Sequence, residues 1–170
     1  MRNTIFQNIH ALVGKYHTRD PFELLERLHV VVKESNSYKS LKGYCFMSCR
    51  TIYVVLNASL SEEEKRMVAA HELGHIILHR KALQMAPMKD IALYDMTNST
   101  EYEANLFAAD LLIEDSDVER LSQETELDFF GMCSCLNVNP HLMSFKLFSL
   151  IKRGFSYQMP MGLNSKFFKV

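Results

Sequence analysis

His71, Glu72 and His75 stand in the stretch "AAHELGHIILHR", residues 69–80. On an α-helix, residues four apart lie one turn apart on one face, with side chains roughly 6 Å from each other. Two imidazoles so placed can both reach one zinc ion at about 2.0–2.1 Å. Glu72 is rotated by about 100° from His71, so it lies beside such an ion rather than on it. A carboxylate there can take a proton from an attacking water and return it to a leaving amine, which is the chemistry of the H-E-x-x-H arrangement. The competing reading is a buried polar cluster that satisfies itself without metal. His79 continues the series but lies about 12 Å from His71 along the axis, too far to share the ion. It reads as a supporting or surface residue.

Tetrahedral catalytic zinc takes three protein ligands and keeps one open position. The stretch "STEYEANLFAADLLI", residues 99–113, offers Glu101 and Glu103. These are about 200° apart around a helix, so only one can face the ion. The Glu101 face carries Ala104, Asn105, Ala108 and Leu112, and its small residues suit close packing against the histidine helix. The Glu103 face carries Phe107, Asp110 and Glu114. Glu101 is therefore favoured as third ligand, with Glu103 as the alternative. Asn105, one turn on, can hydrogen-bond a ligating histidine and fix its tautomer. Either acid could instead serve a capping box, Glu101 with Asn98 or Glu103 with Thr100. Two histidines and a carboxylate suit a single zinc ion best.

The elements that must hold these residues are legible around them. Ser61 and Glu64 form a capping box for a helix running from 61 to about Arg80, with acids crowding its first turn. Ala69, Ala70 and Gly74 mark that helix as closely packed. "HVVVKES" reads as a strand, and "GYCFMSCRTIYVVLN" as two strands joined by a tight turn near Ser48 to Arg50. Ile5, Ile9, Leu12 and Val13 recur at helical spacing over residues 3–16. A second helix opens at "DPFELLERL", with Asp20 as cap, Pro21 at the first position and Glu23 reaching back. Residues 82–98 read as a loop. A helix over 99–113, a short capped helix in "DSDVERLS" and two short helices around "NVNP" complete the chain. The end, with Pro160 and Gly162, reads as irregular or a short strand. The expected fold class is α+β, with helices packed around a short, mainly antiparallel sheet and a mostly helical C-terminal part. Residues 1–115 are expected to form the core, and residues 116–170 a small helical subdomain packed on it.

The 170 residues suit one domain with a real core, being 48% hydrophobic and 23% charged. A net charge of −1 favours neither a nucleic-acid nor a membrane partner. No apolar run reaches a bilayer-spanning length, and the N-terminal residues lack a signal-peptide apolar region, so a cytoplasmic location is expected. The cysteine pairs Cys45/Cys49 and Cys133/Cys135 are read as reduced thiols in or near the core, since their spacings are not the usual zinc-knuckle ones.

The ordered set "IYVVLNASLSEEEKR", "AAHELGHIILH" and "EYEANLFAADLLI" resembles the ImmA/IrrE zinc metallopeptidases, carried largely by phages and mobile elements. Weaker matches are "DPFELLERL" and the late "HLMSFKLFSLIKRGF". The resemblance implies a small zincin-like fold with the active site between the histidine and glutamate helices. It implies His71, His75 and Glu101 as zinc ligands and Glu72 as the catalytic glutamate. It also implies an anti-repressor protease whose substrate is a helix-turn-helix repressor. Two departures stand out: Asn105 where such sites usually have aspartate, and Glu114 after Ile113 where proline is frequent.

For that reaction Tyr94, Tyr102 and His141 are candidate oxyanion donors. An extended substrate would add to a sheet edge, with the strand at 51–56 as the candidate. Two other function classes remain. One is a regulator or sensor that keeps the fold and binds a partner with little proteolysis. The other, disfavoured by the apolar Phe145, Leu147 and Phe148, is DNA binding through the late helix pair.

Overall fold

The computed structural model describes residues 2–84, 88–90, 99–123 and 127–159. Helix α1 (Arg2–Tyr16) is followed by α2 (Pro21–Arg27). The Asp20 carboxylate accepts the N–H groups of Phe22 and Glu23 at 2.9 and 3.0 Å. The return bond expected from Glu23 is taken by another partner, because the Asp20 N–H donates to Thr18 Oγ1 at 3.1 Å.

Three strands come next: β1 (Val31–Ser35), β2 (Gly43–Ser48) and β3 (Thr51–Asn57). Cys49 and Arg50 link the last two with φ of 48° and 64°. Positive φ at both central positions is the type I′ geometry that matches strand twist. After α3 (Glu62–Leu78) and α4 (Arg80–Leu83) comes a short strand, β4 (Met88–Asp90). The sheet order is β1-β3-β2-β4, with β1 parallel to β3 and the other two pairings antiparallel. The mainly antiparallel sheet is thus as expected, but two details differ. Residues 82–98 contain α4's end and β4 rather than loop alone. The strand at 51–56 lies inside the sheet, so it offers no edge to a substrate. Its burial alternates at first, Ile52 and Val54 buried with Thr51 and Tyr53 half-buried, and then runs on unbroken through Asn57. Tyr94, Asn98, Pro160 and Gly162 lie outside the described residues.

The remaining helices are α5 (Ser99–Leu112), α6 (Asp115–Ser122), α7 (Phe129–Cys135) and α8 (Pro140–Lys152). The cap expected for "DSDVERLS" is missing, since Glu114 at the N-cap makes no side-chain bond to α6. Asp115, which opens that helix, instead accepts from Lys146 at 2.6 Å and from Arg153 at 2.6 and 2.8 Å. Lys146 also donates to Asp110 at 3.0 Å, and Ser149 to the other oxygen of Asp110 at 2.6 Å. The side chains of Lys146 and Asp110 are only 1% and 3% exposed, so this network fastens α8 to the end of α5 within the core.

Between α3 and α5 the packing is close. A Cβ on Gly74 would sit 3.1 Å from the Ala104 Cα and 3.2 Å from its carbonyl oxygen. A glycine facing an alanine lets the two backbones approach, and that approach brings His71, His75 and Glu101 together.

Candidate metal centre

The capping box fixes where α3 begins: Ser61 Oγ accepts the Glu64 N–H at 3.2 Å and Glu64 accepts the Ser61 N–H at 3.2 Å. From that start, helical geometry turns His71 and His75 toward α5, one turn apart. Both are buried, at 0% and 1% exposure. Their Nε2 atoms are 3.0 Å apart. Glu101 projects from the first turn of α5, with Oε2 3.2 Å from His71 Nε2 and Oε1 3.4 Å from His75 Nε2.

These separations test whether a metal fits. Donors at about 2.0–2.1 Å around a tetrahedral ion stand roughly 3.3 Å from one another. The observed 3.0, 3.2 and 3.4 Å bracket that value. Among the described residues, this is the group of three His, Cys, Asp or Glu whose ligand atoms converge, all within 4.8 Å of one another.

Protonation fits as well. His71 Nδ1 lies 2.9 Å from Asn105 Oδ1, and because that oxygen only accepts, the Nδ1–H donates and Nε2 keeps its lone pair toward the cluster. Burial pushes the His75 pKa below its usual value, against the opposing pull of Glu101, which leaves that ring neutral at pH 7. Burial alone would raise the Glu101 pKa, but the close approach of His71 and His75 outweighs it and holds the carboxyl at about 2, so it is ionised. Two neutral imidazoles and a carboxylate are the forms that bind a divalent ion.

Glu72 is fully buried and reaches the sheet. Its Oε1 lies 3.5 Å from where a Cβ on Gly43 would stand. The Cys45 thiol, two residues along β2 on the same face, is pushed well above its ordinary range by burial and by the neighbouring Glu72 carboxylate. Gly43 was not singled out from the sequence, and Cys45 was read only as a reduced thiol in or near the core. A glycine inside a β-rich run, marking a close approach, was the available signal.

The other candidates are placed apart from the cluster. Glu103 faces His79, with 3.6 Å between Oε2 and Nε2. The Tyr102 ring packs against Phe145 and Phe148 of α8, each at 6.0 Å between centroids. His141, in the first turn of α8, is exposed. All four cysteines are free, Cys45 and Cys133 buried, Cys49 and Cys135 exposed.

A helical domain on a small mixed sheet, with two histidines and a glutamate converging between packed helices, has the make-up of a metallopeptidase. The chain belongs to the Peptidase_M78 family, matching its IrrE N-terminal-like domain over residues 25–128. It is also similar to "Uncharacterized immunity region protein 2" of Bacillus phage phi105, at 35% identity over 107 residues. That match covers 63% of this chain and 66% of the phage protein, just under two thirds of its length. Among the described residues no helix is long and apolar enough to cross a membrane.

Proposed function

We propose that this chain is a zinc-dependent endopeptidase of the cytoplasm that cleaves a helix-turn-helix repressor of a phage or mobile element, so acting as an anti-repressor. The observation that carries the reading is the convergence of His71 Nε2, His75 Nε2 and the Glu101 carboxylate beside the buried Glu72. His71, His75 and Glu101 would hold the ion. Zinc bound there supplies a lowered water pKa and a polarised carbonyl.

The chain's own residues do the rest. Glu72 takes the proton of the attacking water and returns it to the leaving amine. Asn105 holds His71 in the tautomer that presents Nε2. The strand β4 is an edge of the sheet and pairs with Gly43–Cys45, the part of β2 beside Glu72. An extended substrate adding to β4 would run two strand spacings, about 9–10 Å, from β2.

The repressor as substrate draws support from the phage relative's name, which ties that protein to an immunity region. Burial of Lys146 supports the absence of direct nucleic-acid binding, since it takes from α8 a cation that a groove-reading helix would expose.

The test uses the full chain, purified without a histidine tag, and the repressor encoded beside its gene. Wild type is expected to carry one zinc and cut the repressor. Glu72→Gln is expected to keep zinc and lose cleavage. If Glu72→Gln still relieves repression in cells, the chain acts by binding its partner and the proteolytic reading fails.

A further inference from the structure

His79 has no part in the reaction described above, yet it is held in place from several sides. Its N–H donates to the His75 carbonyl at 2.9 Å, and its backbone (φ −119°, ψ 27°) ends α3 and turns the chain into α4. The side chain is 10% exposed. Its ring lies 5.6 Å from the His75 ring at an interplanar angle of 51°. Toward α5 its Nε2 approaches Glu103 Oε2 at 3.6 Å. The ring also lies close to the Thr100 backbone. Thr100 and Glu103 bracket Glu101 on the first turns of α5.

The three donors differ in what orients them. His71 has Asn105 on its far nitrogen. The corresponding Nδ1 of His75 is buried and makes no hydrogen bond among the described residues. A ligating imidazole is normally fixed by such a bond. His75 is instead flanked by two rings, His71 at 4.7 Å and His79 at 5.6 Å.

We infer that His79 is a positioning residue for two of the three donors: its ring backs His75, and its contact with the Thr100–Glu103 turn sets where Glu101 stands. This rests on the reading that His71, His75 and Glu101 hold a metal ion. His79 acts on the ion only through its neighbours, which separates it from the ligands in any measurement of affinity.

The experiment is the zinc affinity of the full-length protein, measured by competition with a chromophoric chelator at a temperature well below melting. His79→Ala is expected to weaken zinc binding about tenfold, the lower end of what loss of a ligand's supporting partner costs. Glu103→Gln is expected to weaken it less, and the double variant to be no weaker than His79→Ala alone, since both act through one contact. His79→Gln stands in under the same criterion if the alanine variant does not fold. An affinity within twofold of wild type, with only the metal-free melting temperature lowered, would reduce His79 to a packing residue and overturn the inference. Losses that simply add would overturn it too. Wild type that binds no zinc would instead remove the metal reading, and the inference with it.

Discussion

Asn105 Oδ1 accepts the Nδ1 proton of His71 at 2.9 Å, and the opposite ring nitrogen faces Glu101 at 3.2 Å. The bond links the third turn of α3 to α5 and settles which nitrogen of His71 is free to bind. Asn105→Ala should therefore weaken zinc binding by about 10–100-fold while leaving the fold intact. Asn105→Asp should keep the affinity or tighten it, because a charged acceptor makes the ring a stronger ligand. Chelator competition on both variants checks this, and an alanine variant equal to wild type would rule out the orienting role.

Gly43 leaves room that α3 fills. A Cβ there would stand 2.5 Å from Val68 Cγ1, too close for any real contact. Gly43→Ala should cost about 1–3 kcal/mol of stability. It should also reduce cleavage, since Val68 lies one turn before Glu72 on the same face. Val68→Ala in the same chain removes the offending methyl and should restore part of both. Urea denaturation with an assay of repressor cleavage would show whether the two losses and the two recoveries go together.

The buried pair in α5 and α8 gives a sharper contrast. Lys146→Ala leaves the Asp110 carboxylate, 3% exposed, with only Arg153 at 3.8 Å as a cation and should cost up to about 3–5 kcal/mol. Replacing both partners, Lys146→Met with Asp110→Leu, should recover much of that loss. Chemical denaturation of the single and double variants decides it; a double variant as unstable as the single would mean the pair contributes more than mutual compensation.

Acid sensitivity follows from Asp115. Burial raises its pKa, but hydrogen bonds from Arg153 and Lys146 outweigh this and hold the carboxyl at about 2. An unfolded aspartate titrates near 3.9. The folded pKa is the lower one, so the stabilisation is complete above about pH 4 and is lost as the pH falls through about 2. The side chain is 31% exposed, and with solvent screening the contribution is on the order of 1–2 kcal/mol. Wild type should be more stable than Asp115→Asn at pH 7, and this contribution to their difference should vanish near pH 2. Unfolding free energies of the two proteins across that window provide the measurement.

Removing the metal should lower the melting temperature without unfolding the chain. A ligand present at 100 times its dissociation constant adds about 2.7 kcal/mol to stability. The helix caps and the core that spans α1 to α8 do not depend on it. Calorimetry with and without chelator should show the shift, and far-UV circular dichroism should stay the same.

Helix starts were legible because a cap is local: Ser61 with Glu64 and Asp20 with Pro21 fall within a few residues of each other. The face shared by His71 and His75 followed from helical period alone. The convergence of Glu101 on them agrees with the reading that small residues mark a closely packed face. Other features were hidden because their causes lie far along the chain. The three residues of β4 are a strand only through pairing with β2. The inner position of β3 depends on β1 folding back beside it. The partners of Lys146 lie 36 and 31 residues away.

Gly74 lies inside the motif, just before His75. Any side chain there meets the Ala104 backbone at 3.1–3.2 Å, so a larger residue must push α3 and α5 apart. Glu101 rides on α5 and both histidines on α3, so that displacement lengthens every distance from the carboxylate to the imidazoles while the two imidazoles stay together. A shift of a few tenths of an ångström would already loosen the carboxylate from both imidazoles at the candidate site. A single hydrogen atom at position 74 thus sets how closely the two halves of that site can meet.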